Sequence, residues 1–456
     1  MKQLLHWILG KRARRGMNAT RMVALSFGGM ILLGAALLTL PAMSADGESA
    51  GILSGLFTAT SATCVTGLAL RDTLTQWSLG GQVVILCMIQ LGGLGFMTAC
   101  TLILSVFRQD IDLSQRMVLA SGMGLRHIGG VVRMVRHALV GTAVIEGIGA
   151  LLLSFFFVPQ HGLLRGVWYG VFHSISAFCN AGFDLMGPAG GGSLITAADR
   201  PLVLLIHGTL IVTGGLGFFV WEDIYRNRRW KKLSVYTRLV LGTTAFLILS
   251  GGLYFLAAEW SNPMTLGPMP WWDKVANSLF QSVSLRTAGF ASIPRGGMYE
   301  HSQVMSLLYM LVGGSSGSTA GGIKTVTALV LAAALWSGLR GRRDVTIFRR
   351  RVREEQISDA FTLTLTVLLA VFVCAMTLSV LEEVPFLSLL FEVVSAIGTV
   401  GVSTGITSSL SPVSCLILIG LMYMGRVGIL SFSLAFIIRR GKTDKVRYPT
   451  CDLMIG

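Results

Sequence analysis

One short pattern occurs four times in this chain, and it limits the possible folds more than any other feature. The copies read FTATSATCVTGL (Phe57 to Leu68), FHSISAFCNAGF (Phe172 to Phe183), LFQSVSLRTAGF (Leu279 to Phe290) and FEVVSAIGTVGV (Phe391 to Val402). Each is an apolar stretch with small residues that runs into a glycine, and the four glycines, Gly67, Gly182, Gly289 and Gly401, recur at near-constant spacing. Repetition at a fixed period marks a tandem architecture built from one supersecondary unit. Apolar runs flank every glycine, near 22–40 and 82–106, 138–158 and 202–221, 236–257 and 303–335, and 360–380 and 413–438. These runs are long enough to cross a bilayer, whereas the stretch just before each glycine is too short. That stretch reads as a re-entrant half-helix followed by extended backbone, which survives at membrane depth only beside water or protein. The pattern therefore predicts an all-α membrane protein: four tandem helix/pore-helix/helix repeats around a central pore, with eight transmembrane spans and four re-entrant loops. The repeats divide the chain at 1–107, 108–230, 231–345 and 346–456, the last carrying a short tail.

Composition agrees. The chain is 53% hydrophobic and 13% charged, with a mean hydropathy of +0.69, far outside the range of soluble domains. A net charge of +15 would also suit a nucleic-acid binder, so the distribution of the charge has to decide. Most of the 37 basic residues fall in five clusters: Lys2 to Arg21, Arg108 to Arg136, Arg226 to Arg238, Arg340 to Arg353 and Arg439 to Arg447. An even number of predicted crossings separates each cluster from the next. All five can then lie on the cytoplasmic side, with both termini, as the positive-inside rule requires. Topology accounts for the charge, so lipid is expected as a partner and nucleic acid is not. The seven cysteines (Cys64, Cys87, Cys100, Cys179, Cys374, Cys415 and Cys451) form no CxxC pair and have no histidine at metal-ligand spacing, so neither a disulfide framework nor a metal site is predicted. The run Met22 to Leu40, behind Lys11, Arg12, Arg14 and Arg15, has the look of a signal peptide. It is too long for a typical one, and its cleavage would remove a helix of the first repeat.

Four re-entrant segments around one axis would aim four runs at a common passage: Val65, Thr66 and Gly67; Asn180, Ala181 and Gly182; Thr287, Ala288 and Gly289; Thr399, Val400 and Gly401. Such runs supply main-chain carbonyls, which can replace the hydration shell of a monovalent cation without a fixed charge that would trap it. Glycine permits backbone angles closed to other residues, so successive carbonyls can point inward. The alternative is that these glycines only terminate short helices. Four copies in register favour a pore. Sequence leaves open which end of each pore helix faces the axis.

A second element repeats in the last helix of each unit: Gly92, Gly93, Leu94 and Gly95; Gly214, Gly215, Leu216 and Gly217; Gly313 and Gly314; Gly425, Arg426, Val427 and Gly428. For the first two copies close helix packing is the favoured reading, since small residues let backbones approach in membranes. The third unit departs from the others. Its last helix contains LVGGSSGSTAGGIKT (Leu311 to Thr325), which cannot hold a helix at about 1 kcal/mol per glycine. A break is expected there, on the cytoplasmic side of Gly289, where Gly313, Gly314, Ser315, Ser316, Gly317, Gly321, Gly322 and Lys324 could obstruct ions.

The motifs TSATCVTGL, SAFCNAGF, SLRTAGF and SAIGTVGVSTG resemble those of the Trk/Ktr/HKT superfamily of potassium transporters, most closely the bacterial Ktr-type membrane subunits. The ending KVRYPTCDLMIG is similar too, while the short segment before the first span sets the chain apart from the larger Trk-type subunits. The resemblance covers nearly the whole chain and implies potassium uptake across a bacterial inner membrane. In that family a glycine at all four filter positions accompanies potassium selectivity; the serine that sodium-permeable plant members carry in the first copy is absent here. It further implies an intramembrane gating loop at Gly313 to Lys324, a homodimer with one pore per protomer, and a cytosolic ring of KtrA-type nucleotide-binding subunits. Nucleotide would then act only through the partner, with K+ as the transported ion and Na+ as a coupling or activating ion.

Lys324 and Arg426 stand in apolar surroundings, where a charge is costly enough to suggest a function. Snorkelling to the interface is the alternative for Lys324. Arg426 replaces a glycine of the repeated element, and either repels cations or anchors the loop through backbone carbonyls. Asp72 and Asp184 either concentrate cations at the outer mouth or are ordinary loop charges. Arg286 and Glu392 are expected to brace the filter through polar partners. Two enzymatic readings fail. Gly314 to Gly317 spells the GxSG of rhomboid-type proteases, but no histidine follows Ser316 to act as base. Gly322, Ile323, Lys324 and Thr325 lack the Gly-Lys adjacency of a phosphate loop. The serious rival is an alternating-access carrier, a class that often shows inverted repeats and broken helices; four units of one polarity favour the channel-like pore.

Overall fold

The computed structural model describes residues 19–95, 131–187, 193–342 and 344–428. Four helical units follow one another. The first holds α1 (Ala19–Leu38), α2 (Ile52–Cys64) and α3 (Leu79–Leu94). The second holds α4 (Val131–His161), α5 (Leu163–Phe178), α6 (Pro201–Leu216) and α7 (Phe218–Asn227). The third holds α8 (Val235–Glu259), α9 (Trp271–Ser284), α10 (Glu300–Leu311) and α11 (Thr325–Leu339), and the fourth α12 (Glu354–Leu381), α13 (Phe386–Gly398) and α14 (Pro412–Val427). A two-stranded hairpin, Thr346–Ile347 with Arg350–Arg351, joins the third unit to the fourth.

Local chemistry sets the helix starts. Ser78, Ser234 and Ser411 accept hydrogen bonds from the backbone N–H groups of Gly81, Thr237 and Ser414, capping α3, α8 and α14. Pro201 and Pro412 open α6 and α14, where a missing N–H is harmless.

Packing follows one rule around the molecule. In each unit the first helix packs on its own pore helix: α1 on α2, α4 on α5, α8 on α9 and α12 on α13. The helix after the pore helix then leans on the next unit's pore helix, α3 on α5, α6 on α9 and α10 on α13. The contact of α14 with α2 closes the circle. The pore helices are therefore walled in, and the largest fully buried side chains include Phe57, Phe172, Phe178 and Phe391 on them. The outer helices instead turn apolar side chains outward, with Leu32 68% and Phe155 71% exposed. Apolar surface on this scale is stable against hydrocarbon and not against water.

Among the described residues three helices are long and apolar enough to cross a membrane alone: Val135–His161, Val235–Glu259 and Glu354–Leu381. The helix after the pore helix in the first, second and fourth units is interrupted where a continuous span was expected. The run 202–221 is not one helix: α6 and α7 meet at Gly217 at an angle of 91°. Gly217 has a φ of 92°, and Gly95 and Gly428 end α3 and α14 with φ values of 80° and 89°. The repeated glycine element thus stops a helix wherever it occurs. In the third unit the expected break is present, with residues 312–324 outside any helix. The far ends of the runs 82–106 and 413–438 lie outside the described residues, as do most of the first two basic clusters, all of the fifth, and the ending KVRYPTCDLMIG.

Candidate functional site

Each pore helix ends in a way that turns its last carbonyls toward the centre. In the first unit the Val65 N–H donates to the Ala62 carbonyl at 3.2 Å and the Thr66 N–H to the Ser61 carbonyl at 2.8 Å, the paired bonds of a Schellman stop. The same pair recurs at Asn180 and Ala181, and at Thr399 and Val400. In the third unit the Ala288 N–H closes a tighter turn onto Ser284. Such a stop needs one left-handed residue, usually glycine. Here it is Val65 (φ 56°), Asn180 (58°), Thr287 (63°) and Thr399 (48°). Left-handed angles at a β-branched residue are strained by about 1–2 kcal/mol, and strain of this kind gathers at functional sites. The glycines are therefore not the helix stops. Each lies two residues further on, with φ values of 97° (Gly67), 71° (Gly182), 82° (Gly289) and 86° (Gly401).

The four glycines meet. A methyl group built on Gly67 would lie 2.6 Å from the Ala181 carbonyl oxygen, one on Gly182 2.9 Å from that of Ala288, and one on Gly289 2.9 Å from that of Val400. A methyl on Gly401 would overlap the Thr66 carbonyl oxygen. Every glycine thus abuts the carbonyl just before the next unit's glycine, and the sequence returns to its start. Carbonyls of Thr66, Ala181, Ala288 and Val400 alternate with glycines around one axis. Serines of the pore helices hold the strands: Ser61 and Ser395 accept from the N–H groups of Gly67 and Gly401, each at 3.0 Å. Ser176 donates to the Phe183 carbonyl at 2.6 Å, and Ser284 to that of Phe290. These serines carried no signal of their own in the sequence, because Ser and Thr recur along every pore helix.

The second glycine element supports this ring from below. Side chains at Gly92, Gly214 or Gly425 would overlap the carbonyls of Thr63, Phe178 and Ile397, the residues four before Gly67, Gly182 and Gly401. Close packing holds for the first two copies as expected, and for the fourth.

The segment Gly313 to Lys324 lies against the end of the ring where the strands leave their helices. Gly321 faces the Thr399 hydroxyl with no room for a side chain, and a methyl on Gly313 would stand 3.2 Å from Cγ2 of Thr287. Backbone bonds pin the segment to the α6 end: Ser315 N–H to the Gly215 carbonyl at 3.1 Å, and Phe218 N–H to the Gly317 carbonyl at 3.1 Å. Ser315 Oγ also donates to Leu216, and Tyr236 Oη donates to the Ser316 carbonyl at 3.1 Å. Val312 and Ile323 pair as a short parallel bridge that draws the ends of the segment together. Gly314 packs against Ala320 and the Gly215 carbonyl, and Gly322 lies close to the Gly398 carbonyl.

Arg426 reaches across from α14. Its guanidinium donates to the Thr319 carbonyl in the segment, and to the carbonyls of Gly92 (2.5 Å) and Gly93 (3.1 Å) at the end of α3. Of the two roles considered for it, the geometry matches the anchor. The Lys324 ammonium turns back and donates to the Ala320 carbonyl at 2.8 Å, an alternative to snorkelling. Asp72 caps the short turn Thr73–Gln76, accepting from Thr75 N–H at 2.9 Å, and Asp184 accepts from Met186 N–H at 2.9 Å; both have local structural work. Arg286, expected beside a polar brace, donates to Thr244 Oγ1 on α8 at 3.3 Å. Glu392 is fully buried and accepts from Ser403 and from Thr407 Oγ1 (2.9 Å), beyond the fourth filter run.

Pore helices that point carbonyl ends and a ring of backbone oxygens at one axis define a protein that handles cations inside a membrane. The chain belongs to the TrkH family of cation transport proteins, whose model matches residues 31–446. It is 40% identical over 436 residues to the Ktr system potassium uptake protein B of Bacillus subtilis, covering 96% of both chains. It is 38% identical over 454 residues to the potassium/sodium uptake protein NtpJ of Enterococcus hirae, covering 98% of this chain and 100% of that one. The crystal structure of the potassium transporter TrkH from Vibrio parahaemolyticus shares the fold with a TM-score of 0.72 at 17% identity, over 92% of this chain and 84% of that chain. The family consists of ion transporters, and neither enzymatic reading stands.

Proposed function

We propose that the chain takes up potassium across a bacterial cytoplasmic membrane, stripping the ion of water in the ring formed around Gly67, Gly182, Gly289 and Gly401. The observation that carries this is the cyclic contact of each glycine with the next unit's carbonyl. Carbonyl dipoles replace hydration oxygens without a fixed charge, so the ion is bound and still free to leave. The four pore helices end at the ring, and the partial negative charge of their C-termini favours a cation there. Potassium rather than sodium is the cargo on two grounds: the names of the B. subtilis and E. hirae relatives, and glycine at all four filter positions. The E. hirae name includes sodium, which keeps Na+ as a coupling or activating ion.

The segment Gly313 to Lys324 is the gate. It lies across the inner end of the ring, and Arg426 holds it there through Thr319 while fixed to Gly92 and Gly93. Two protomers, each with its own pore, would stand on a cytosolic ring of nucleotide-binding subunits that moves the gate, with the basic loops Arg226 to Arg238 and Arg340 to Arg353 and both termini on that side.

Potassium uptake by a deficient cell, measured with and without a nucleotide-binding partner, tests the whole reading. Gly67→Ser tests the ring: its Cβ would meet the Ala181 carbonyl, so preference for potassium over sodium should fall by about tenfold, the scale of one disturbed oxygen ligand. An unchanged ratio would count against the filter. Counting ions per cycle in proteoliposomes separates a pore from a coupled carrier.

A further inference from the structure

The outer ends of the filter strands are not held alike. In the fourth unit Glu392, nine residues before Gly401, accepts from the Ser403 and Thr407 hydroxyls, and the Thr404 amide is a further hydrogen-bonding neighbour. Thr404 is three residues beyond the glycine. In the second unit the corresponding position, nine before Gly182, is His173, and its Nε2 accepts from the N–H of Leu185 at 3.1 Å, again three residues beyond the glycine. Because Nε2 accepts, the His173 proton sits on Nδ1, which faces His207 Nε2 at 3.3 Å. His207 in turn keeps its proton on Nδ1 and donates to the Val203 carbonyl on α6 at 2.8 Å. Both rings are fully buried. The Phe290 ring, next to the third filter glycine, lies 5.5 Å from His207 and stacks near His173 at 6.4 Å.

The other two units lack this acceptor. The equivalent position in the third is Phe280, which has none, and in the first it is Thr58, which makes no bond to the strand beyond Gly67. The order of contacts around the ring places the second and fourth units opposite each other.

We infer that His173, oriented by His207, and Glu392 are a diagonal pair of positioning residues that fix the width of the outer filter, and that discrimination between monovalent cations depends on both. The inference rests on the filter assignment made above. All four strands are held by pore-helix serines, and two opposed strands carry in addition a bond from beyond the glycine to a pore-helix acceptor, so loss of either clamp lets the ring widen along one diagonal.

Potassium and sodium uptake by deficient cells expressing His173→Phe, Glu392→Leu and the double variant tests this, with membrane abundance and size-exclusion profiles establishing that each is folded. Each single variant should lower the potassium-to-sodium ratio by about tenfold, the scale of one buried hydrogen bond to the filter backbone. His173→Gln, whose amide oxygen can accept in place of Nε2, should recover most of the ratio, which a loss of packing alone would not allow. Phe280→Leu, a comparable core change at the unclamped position, should leave the ratio as it is. Folded His173→Phe and Glu392→Leu proteins with unaltered ratios would overturn the inference. Gly67→Ser run alongside tells apart the two failures: if it shifts the ratio and the clamps do not, only the clamps are wrong, and if it too has no effect, the filter itself is misassigned.

Discussion

Gly401 and Gly405 are both left-handed, with φ values of 86° and 102°, yet their surroundings differ. A side chain at Gly401 would overlap the Thr66 carbonyl oxygen, whereas nothing lies within 4 Å of a Cβ at Gly405. Alanine at Gly405 therefore meets only backbone strain, about 1–2 kcal/mol of stability. Alanine at Gly401 must in addition push a carbonyl out of the ring. Uptake assays should find Gly401→Ala reduced at least about tenfold and Gly405→Ala close to wild type; equal losses would mean that strain, not the ring, makes glycine necessary. That Gly67, Gly182, Gly289 and Gly401 come together was legible in the sequence because their register repeats. Their left-handed neighbours were not: Val65, Thr287 and Thr399 have strong preferences for extended backbone, and only the surrounding structure forces them out of it. Glu392 and His173 were equally hidden, since a buried polar residue means little until its partner across the fold is known.

At the scale of elements, the sequence left open which end of each pore helix faces the axis, and the structure supplies it: each short helix runs C-terminal end first into the strand whose glycine meets the other three. The break in the third unit was legible in the density of glycines between Leu311 and Thr325. The kink at Gly217 was not, because two glycines, a leucine and a third glycine in an apolar helix spell close packing and a helix stop alike, and this element serves as both. The segment Gly313 to Lys324, proposed as the gate, is tied to the end of α6 by backbone bonds, and Arg426 adds one bond to it, to the Thr319 carbonyl, while fixed to Gly92 and Gly93. Replacing Arg426 with glutamine, or deleting part of Gly313 to Gly322, should raise potassium flux severalfold, each lost charged hydrogen bond being worth about 1.5–3 kcal/mol. Lowered flux in a well-folded protein would argue against a gate. Glu382 ties the end of α12 to the start of α14, accepting from Ser411 N–H at 2.9 Å and Ser414 Oγ at 2.5 Å. Burial pushes its carboxyl upward, but the hydrogen bonds from Ser411 and Ser414 outweigh burial and hold it below the usual carboxylate range. A depressed folded pKa stabilises above the unfolded value and is lost as pH falls through the folded one. Glu382→Gln should thus lower the melting temperature at neutral pH, and the gap to wild type should close in acid below about pH 4; a gap independent of pH would show that the charge contributes nothing.

For the whole molecule, the closing contact of α14 on α2 turns a tandem repeat into a ring. That closure is what places four strands far apart in sequence around one axis. A chain so arranged buries its polar backbone toward the centre and presents aliphatic side chains to lipid, which reconciles high hydropathy with a hydrophilic function. The central claim is that carbonyls of Thr66, Ala181, Ala288 and Val400 together take the place of water around a monovalent cation. Crystals grown in rubidium or thallium, measured for anomalous scattering, test it most directly. The account predicts an ion peak on the axis within the circle of those four oxygens, weakened in Gly67→Ser. Peaks confined to the surface loops, with none between the four glycines, would contradict it.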